Sequence, residues 1–179
     1  MKLLAAAAVL LGVLIPPSRG PEIVQVRAGA ADAAKGFVVG DGRVVTVAHV
    51  LGRDLTVDGQ PARVLRRDDR LDLALLAADV SGPHVRIARE DSRVQRRADA
   101  SVDGSGWKRP VLELRSEVEP GDSGAPVLTA SGRVVGVVFA RSRSRAGRAW
   151  AIDASDPAVV DFLTLAVDKS TTHAPGTRR

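Results

Sequence analysis

The chain has 179 residues, a formal net charge of +5, 45% hydrophobic and 3% aromatic residues, and neither Cys nor Tyr. That length allows one compact domain, or two small lobes that share a cleft. The lack of Cys excludes a disulfide framework, a thiolate nucleophile and a Cys-based zinc site.

Met1-Lys2 gives a short positive start, and Leu3 to Ile15 is an uncharged apolar run ended by Pro16-Pro17. The run falls short of the ~20 apolar residues of a membrane-spanning helix and fits the apolar part of a secretory signal. Ala28-Gly29-Ala30 has a small-x-small cleavage form, but cutting there would remove the strand-like Ile23 to Val26. Residues 1–20 are therefore read as a signal peptide cut near Gly20, or as a retained membrane anchor.

Past that point the core must be built from Val, Leu, Ile and Ala, in short runs that favour strands. Ile23 to Val26 reads as the first. Phe37 to Val39 and Val44 to Val47 flank Gly40-Asp41-Gly42, which predicts a hairpin. Leu55 to Val57 and Ala62 to Leu65 flank Asp58-Gly59-Gln60-Pro61, which suggests a second. Leu71 to Leu76 reads as a further strand that carries Asp72 inside it. Residues 81–105 are polar and poorly patterned, and are read as a connection followed by the first strand of a second lobe. Val111 to Leu114, Val127-Leu128, Val134 to Phe139 and Ala149 to Ile152 continue the strands, with a turn at Ser131-Gly132. Ser155 is then expected to cap a helix whose apolar stripe is Val159, Val160, Phe162, Leu163, Leu165 and Ala166. Residues 168–179 read as a disordered tail. Many short strands with regular turn signals indicate an all-β fold with one C-terminal helix.

Three patterns carry chemistry. Thr46-Val47-Ala48-His49-Val50 puts a histidine at the end of a buried strand. Leu71-Asp72-Leu73 puts a carboxylate among leucines. Pro120-Gly121-Asp122-Ser123-Gly124-Ala125-Pro126 puts a serine between glycines. Serine is a weak nucleophile and needs a base within reach; imidazole serves because it can take a proton and return it. A buried carboxylate holds the imidazole in one tautomer, and Asp72 would be costly to bury without such a partner. Backbone N–H groups, freed to turn inward by a glycine, would hold a developing oxyanion; the donors expected are those of Gly121 and Ser123. Asp68 and Asp69 are rivals for the acid, but sit in an Arg-rich, solvated turn. His84 reads as a loop residue and His173 as part of the tail.

Together these patterns, and the chain order His, Asp, Ser, resemble the trypsin/chymotrypsin superfamily. Gly36 to Val39, Leu114 to Ser123 and Val135 to Ala140 are similar to bacterial high-temperature-requirement and actinobacterial acid-resistance (periplasmic) trypsin-like proteases. The resemblance runs from about Ile23 to about Phe162. It implies a chymotrypsin-like double β-barrel over residues 21–167: a first barrel over 21–80, a second over 94–153 and a helix over 155–167. It further implies a triad of His49, Asp72 and Ser123. In trypsins the acid beside the serine, here Asp122, pairs with an amine freed before Ile-Val; Ile23-Val24 is present but reads more simply as the first strand. By resemblance Glu117, Phe139 and Ala140 would contact the substrate, and Glu117 at a pocket base would favour a basic side chain.

The function implied is an exported or envelope serine endopeptidase acting on proteins or peptides, with no metal or other cofactor. Its alternative is a catalytically silent protease-like binding or sensing module, which the short second lobe permits. The basic residues are mostly Arg, with only four Lys, and are scattered except at Arg66-Arg67, Arg96-Arg97 and Arg141 to Arg148. With no recognition motif or interleaved aromatics, they read as a solvated surface and not as a nucleic-acid site.

Overall fold

The computed structural model describes residues 20–30, 33–88, 95–100, 108–142 and 145–168, with the backbone alone at 95–100 and 166–168. The signal or anchor segment, save Gly20, and the tail beyond Asp168 lie outside the described residues.

The described chain is two antiparallel sheets and a helix. The first sheet contains β1 (Ile23–Ala28), β2 (Ala34–Gly40), β3 (Arg43–Val47), β4 (Leu55–Val57), β5 (Gln60–Pro61), β6 (Arg63–Asp68) and β7 (Leu73–Ala77). The second contains β8 (Gln95–Ala100), β9 (Arg109–Leu114), β10 (Pro126–Leu128), β11 (Val134–Arg141) and β12 (Ala149–Asp153). Spatial order is β5-β4-β1-β2-β3-β7-β6 in the first sheet and β10-β11-β12-β9-β8 in the second. Each lobe is thus a curled sheet, of seven and five strands.

The continuous apolar runs of β2, β3 and β7 follow from their central place: both faces are covered, so alternation is not required. Phe37, Val39, Val45, Val47, Leu73 and Leu75 face the second sheet and the helix. Their neighbours Val38, Val44, Ala74 and Leu76 turn the other way, onto Val24, Val26 and Val57. Val111, Val134, Val137, Phe139 and Ile152 complete the shared core from the second sheet. The connection from 81 joins that sheet through a parallel bridge between Ile87 and Val134.

Two local expectations need correcting. The hairpin after β4 closes on Gln60–Pro61, because Asp58 and Gly59 both take positive φ (48° and 81°) and form a two-residue turn. β6 then crosses to pair with β7. The helix α1 (Pro157–Asp168) is capped by Asp156, whose Oδ1 accepts the Ala158 N–H at 2.9 Å; Pro157 fills the first helical position, where its missing N–H costs nothing. Ser155 instead donates its hydroxyl to Asp153 Oδ1 at 2.6 Å.

α1 buries Val159, Phe162 and Leu163 in the shared core, while Leu165 stays exposed. Phe162 is fully buried, with the Arg66 guanidinium 4.6 Å above its ring. Phe162→Ala is expected to lower unfolding free energy by about 3–5 kcal/mol in urea titrations. A loss below about 1 kcal/mol would mean that α1 is not part of the core.

Candidate active site

β3 runs directly into a single 3-10 turn, Ala48–Val50, which lifts His49 off the sheet. Asp72 is not inside a strand, as its leucine neighbours suggest, but in the turn just before β7, with φ of 58°. Left-handed backbone is tolerated by Asp better than by most residues. The bend turns the carboxylate toward His49. Oδ1 accepts the His49 backbone N–H at 2.9 Å, and Oδ2 lies 2.8 Å from His49 Nδ1. The Asp72 carbonyl accepts the Ala48 N–H at 3.1 Å.

The acid is 4% exposed, and a buried carboxylate needs several donors. A third comes from the other sheet: Arg109 Nη1, at the start of β9, donates to Oδ2 at 3.3 Å. Arg109 is itself buried, and its guanidinium sits 5.3 Å above the Phe139 ring. An acceptor-only carboxylate beside Nδ1 fixes the proton there, so Nε2 keeps its lone pair on the exposed side of the ring.

The serine turn follows β9 and leads into β10. Gly121 and Gly124 bracket it with φ of 98° and 91°. A Cβ on Gly124 would lie 1.9 Å from the Lys35 carbonyl oxygen and 2.6 Å from Thr46 Oγ1, so only glycine fits. This close approach seats the turn against β2 and β3, three residues upstream of His49. The Lys35 N–H donates to the Ser123 carbonyl at 2.8 Å, and the Gly124 N–H donates to the Val138 carbonyl at 2.7 Å. The Asp122 N–H donates to the Glu119 carbonyl at 3.1 Å. Among the described residues the N–H groups of Gly121 and Ser123, on either side of it, have no protein acceptor. His49 and Asp72 are joined directly, whereas no hydrogen bond links Ser123 to His49 among the described residues. Such contacts often tighten only when substrate binds.

Among the described residues, the partner of Asp122 is not Ile23. Ile23 is in β1, paired with Phe37. Instead Lys35 Nζ contacts Asp122 Oδ1 at 2.6 Å, and the Glu119 N–H donates to Oδ2 at 2.9 Å. The lysine ammonium and then the Glu119 N–H hold the Asp122 carboxyl below its ordinary 3.8.

Of the residues expected at the substrate, Phe139 is a core residue, 4% exposed, that supports Arg109 and does not line an open groove. Ala140 is half-buried at the edge of the same core. Glu117 is exposed, in a surface pocket that it shares with Glu119 and with Arg141, Arg145 and Arg148. Of these, Arg148 is paired with the buried Glu113 at 2.7 Å. Asp68 caps its own turn by accepting the Arg70 and Leu71 N–H groups, and Asp69 pairs with Arg67. Arg109 and Lys35 are the residues that sequence reading missed. A lone Arg opening a strand and a lone Lys within one carry no local signal.

Arg109→Met should destabilise the fold by about 3 kcal/mol at neutral pH, because it strips a charged donor from a buried acid; equal denaturant midpoints for the variant and wild type would contradict this. The Asp122 carboxyl carbon, followed by NMR, should titrate with a midpoint below 3.8. Because the folded value is the lower one, the contact stabilises fully above the ordinary carboxylate range and is lost as pH falls through the folded value.

No protein-family model matches the chain. It is 28% identical to serine protease Rv3671c of Mycobacterium tuberculosis over an alignment covering 77% of this chain and 45% of that protein. It is 30% identical to a probable periplasmic serine endoprotease, DegP-like, of Rhizobium meliloti, over 66% of this chain and 30% of that one. The chain thus spans less than half the length of these relatives. The solved active form of the M. tuberculosis Rv3671c protease superposes with a TM-score of 0.68 at 21% identity, covering 98% of this chain and 96% of that one. In sequence this chain is similar to proteins named serine proteases, and in fold it is similar to a solved one.

Proposed function

We propose that the chain is a serine endopeptidase that cleaves peptide bonds through an acyl-enzyme on Ser123. The observation that carries the reading is the His49–Asp72 pair, with Nε2 left open, beside a serine turn with two unused N–H groups. Ser123 Oγ attacks the carbonyl carbon while its proton passes to His49 Nε2. The negative charge that develops on the carbonyl oxygen is held by the Gly121 and Ser123 N–H groups. The C–N bond then breaks, and His49 returns the proton to the departing amine. Water, deprotonated by His49, hydrolyses the ester, releases the acid and restores the serine. Asp72 keeps the imidazole oriented and stabilises its charged form between the steps.

The substrate class follows from the same reading: an extended stretch of protein or peptide. Export to the cell envelope is proposed from the apolar run at 3–15 and from the periplasmic naming of the R. meliloti relative. Among the described residues no helix is long and apolar enough to cross a membrane.

Ser123→Ala should lower peptide turnover by about 10³-fold or more with an unchanged circular dichroism spectrum. Wild-type protein that folds but releases no product from a broad peptide library would favour the binding-module alternative, which the missing Ser123–His49 hydrogen bond makes specific.

A further inference from the structure

We infer that Lys35 is the positioning residue of the oxyanion site, an internal lysine whose main chain and side chain together hold the Gly121–Ser123 turn in its working shape. The inference rests on the peptidase reading of Ser123 and extends it to how the turn is kept in order.

Lys35 reaches the turn in three ways. Its N–H donates to the Ser123 carbonyl at 2.8 Å. Its carbonyl accepts the Thr46 hydroxyl at 2.7 Å and lies where a side chain on Gly124 would be. Its ammonium contacts Asp122 Oδ1 at 2.6 Å. The first two contacts come from the β2 backbone and any residue could make them; the third needs a cation at this position.

The geometry of Asp122 explains why that third contact matters. Its carboxylate bridges two anchors, Lys35 on one oxygen and the Glu119 N–H on the other. Its own N–H returns to the Glu119 carbonyl. Asp122 is therefore fixed through both its backbone and its side chain; the peptide unit after it carries the Ser123 N–H, and the Gly121 N–H lies one unit further back, across the torsions of Gly121. Gly121, with φ of 98°, has little intrinsic preference for that shape. Without an external tie its N–H would sample other directions. An ion pair as open as this one, with side chains 43% and 26% exposed, adds little to stability. Its use is positional: it selects one conformation of a short, glycine-containing turn. Lys35, Asp122 and Glu119 are the charged side chains at the surface depression beside Gly121.

A second consequence follows. The cation that Asp122 needs is present in the intact chain, and the backbone continues in order past Ile23, where the Glu22 carbonyl accepts the Val38 N–H at 2.9 Å. The site is therefore assembled without a newly cut amine at Ile23.

The test uses the full chain, with Lys35→Met, Lys35→Arg and Asp122→Asn compared against wild type on one peptide substrate. Lys35→Met should lower kcat by about ten-fold or more, a fraction of what losing an oxyanion donor costs, with KM little changed. The Asp122 carboxyl midpoint should rise toward 3.8, and Lys35→Arg should recover most of the rate. Lys35→Met combined with Asp122→Asn should be no slower than the slower single variant. Should Lys35→Met fail to fold, the same loss in Asp122→Asn, which keeps an acceptor for the Glu119 N–H, supports the role. An unchanged kcat in both overturns it. A loss confined to KM also overturns it, because Lys35 would then be a substrate contact, as does an unmoved Asp122 midpoint, because Lys35 would then not be holding that carboxylate. These outcomes presuppose an active wild type; a folded wild type without turnover removes the peptidase reading, and this inference with it.

Discussion

Asp72 is a carboxylate taken out of water, and much of the arrangement follows from satisfying it. An uncompensated buried charge is too costly to keep, so each Asp72 oxygen must meet donors of fixed position. The two donors of His49 come from the 3-10 turn after β3. The third, Arg109, comes from the opening residue of β9 in the other sheet. One side chain thus fixes the histidine's tautomer and also ties the two sheets together at the cleft. The Phe139 ring beneath Arg109 is the apolar support on which that cation rests, which is why a residue suited to a substrate groove is found in the core.

The serine turn is held by a different logic. It has two glycines with left-handed backbone and little apolar contact of its own, so packing does not define it. Polar ties define it instead, and they come from β2 of the first sheet and β11 of the second. The Gly124 position shows how close the approach is: the Lys35 carbonyl occupies the space that any side chain would need. The result is a serine carried between strands of the second sheet but held in place by the first, on the side where Thr46 leads to His49. Such a turn can be ordered while the serine and histidine are still apart.

Much of this was legible in the sequence, and the parts that were not have physical reasons. Strands at Phe37, Val44 and Val134 were readable because short β-branched runs beside Asp-Gly or Ser-Gly turns have few other uses, and those at Leu73 and Ala149 because they are short apolar runs between polar segments. Asp72 stood out because a carboxylate between leucines needs a partner, whereas His49 and Ser123 stood out through their chain order and the glycines around the serine. Asp72 was misplaced within its element, since periodicity cannot tell the first residue of a strand from the turn before it. β6 was given the wrong neighbour because the tight Asp58-Gly59 turn, fixed by two positive φ angles, closes on Gln60 and Pro61 first. Arg109 and Lys35 could not be found at all. Each matters only through a partner more than thirty residues away, and no local pattern encodes a contact of that range.

The central claim is that the fold activates one serine. The most direct measurement is to expose the folded chain to a fluorophosphonate, digest it and identify the modified residue by mass spectrometry. A single adduct on Ser123, absent from unfolded protein, is the predicted result, since attack requires both an accepting His49 Nε2 and N–H donors for the phosphonyl oxygen. An unmodified Ser123 in folded protein, or an adduct spread over other hydroxyls such as Ser116 and Thr129, would contradict the account.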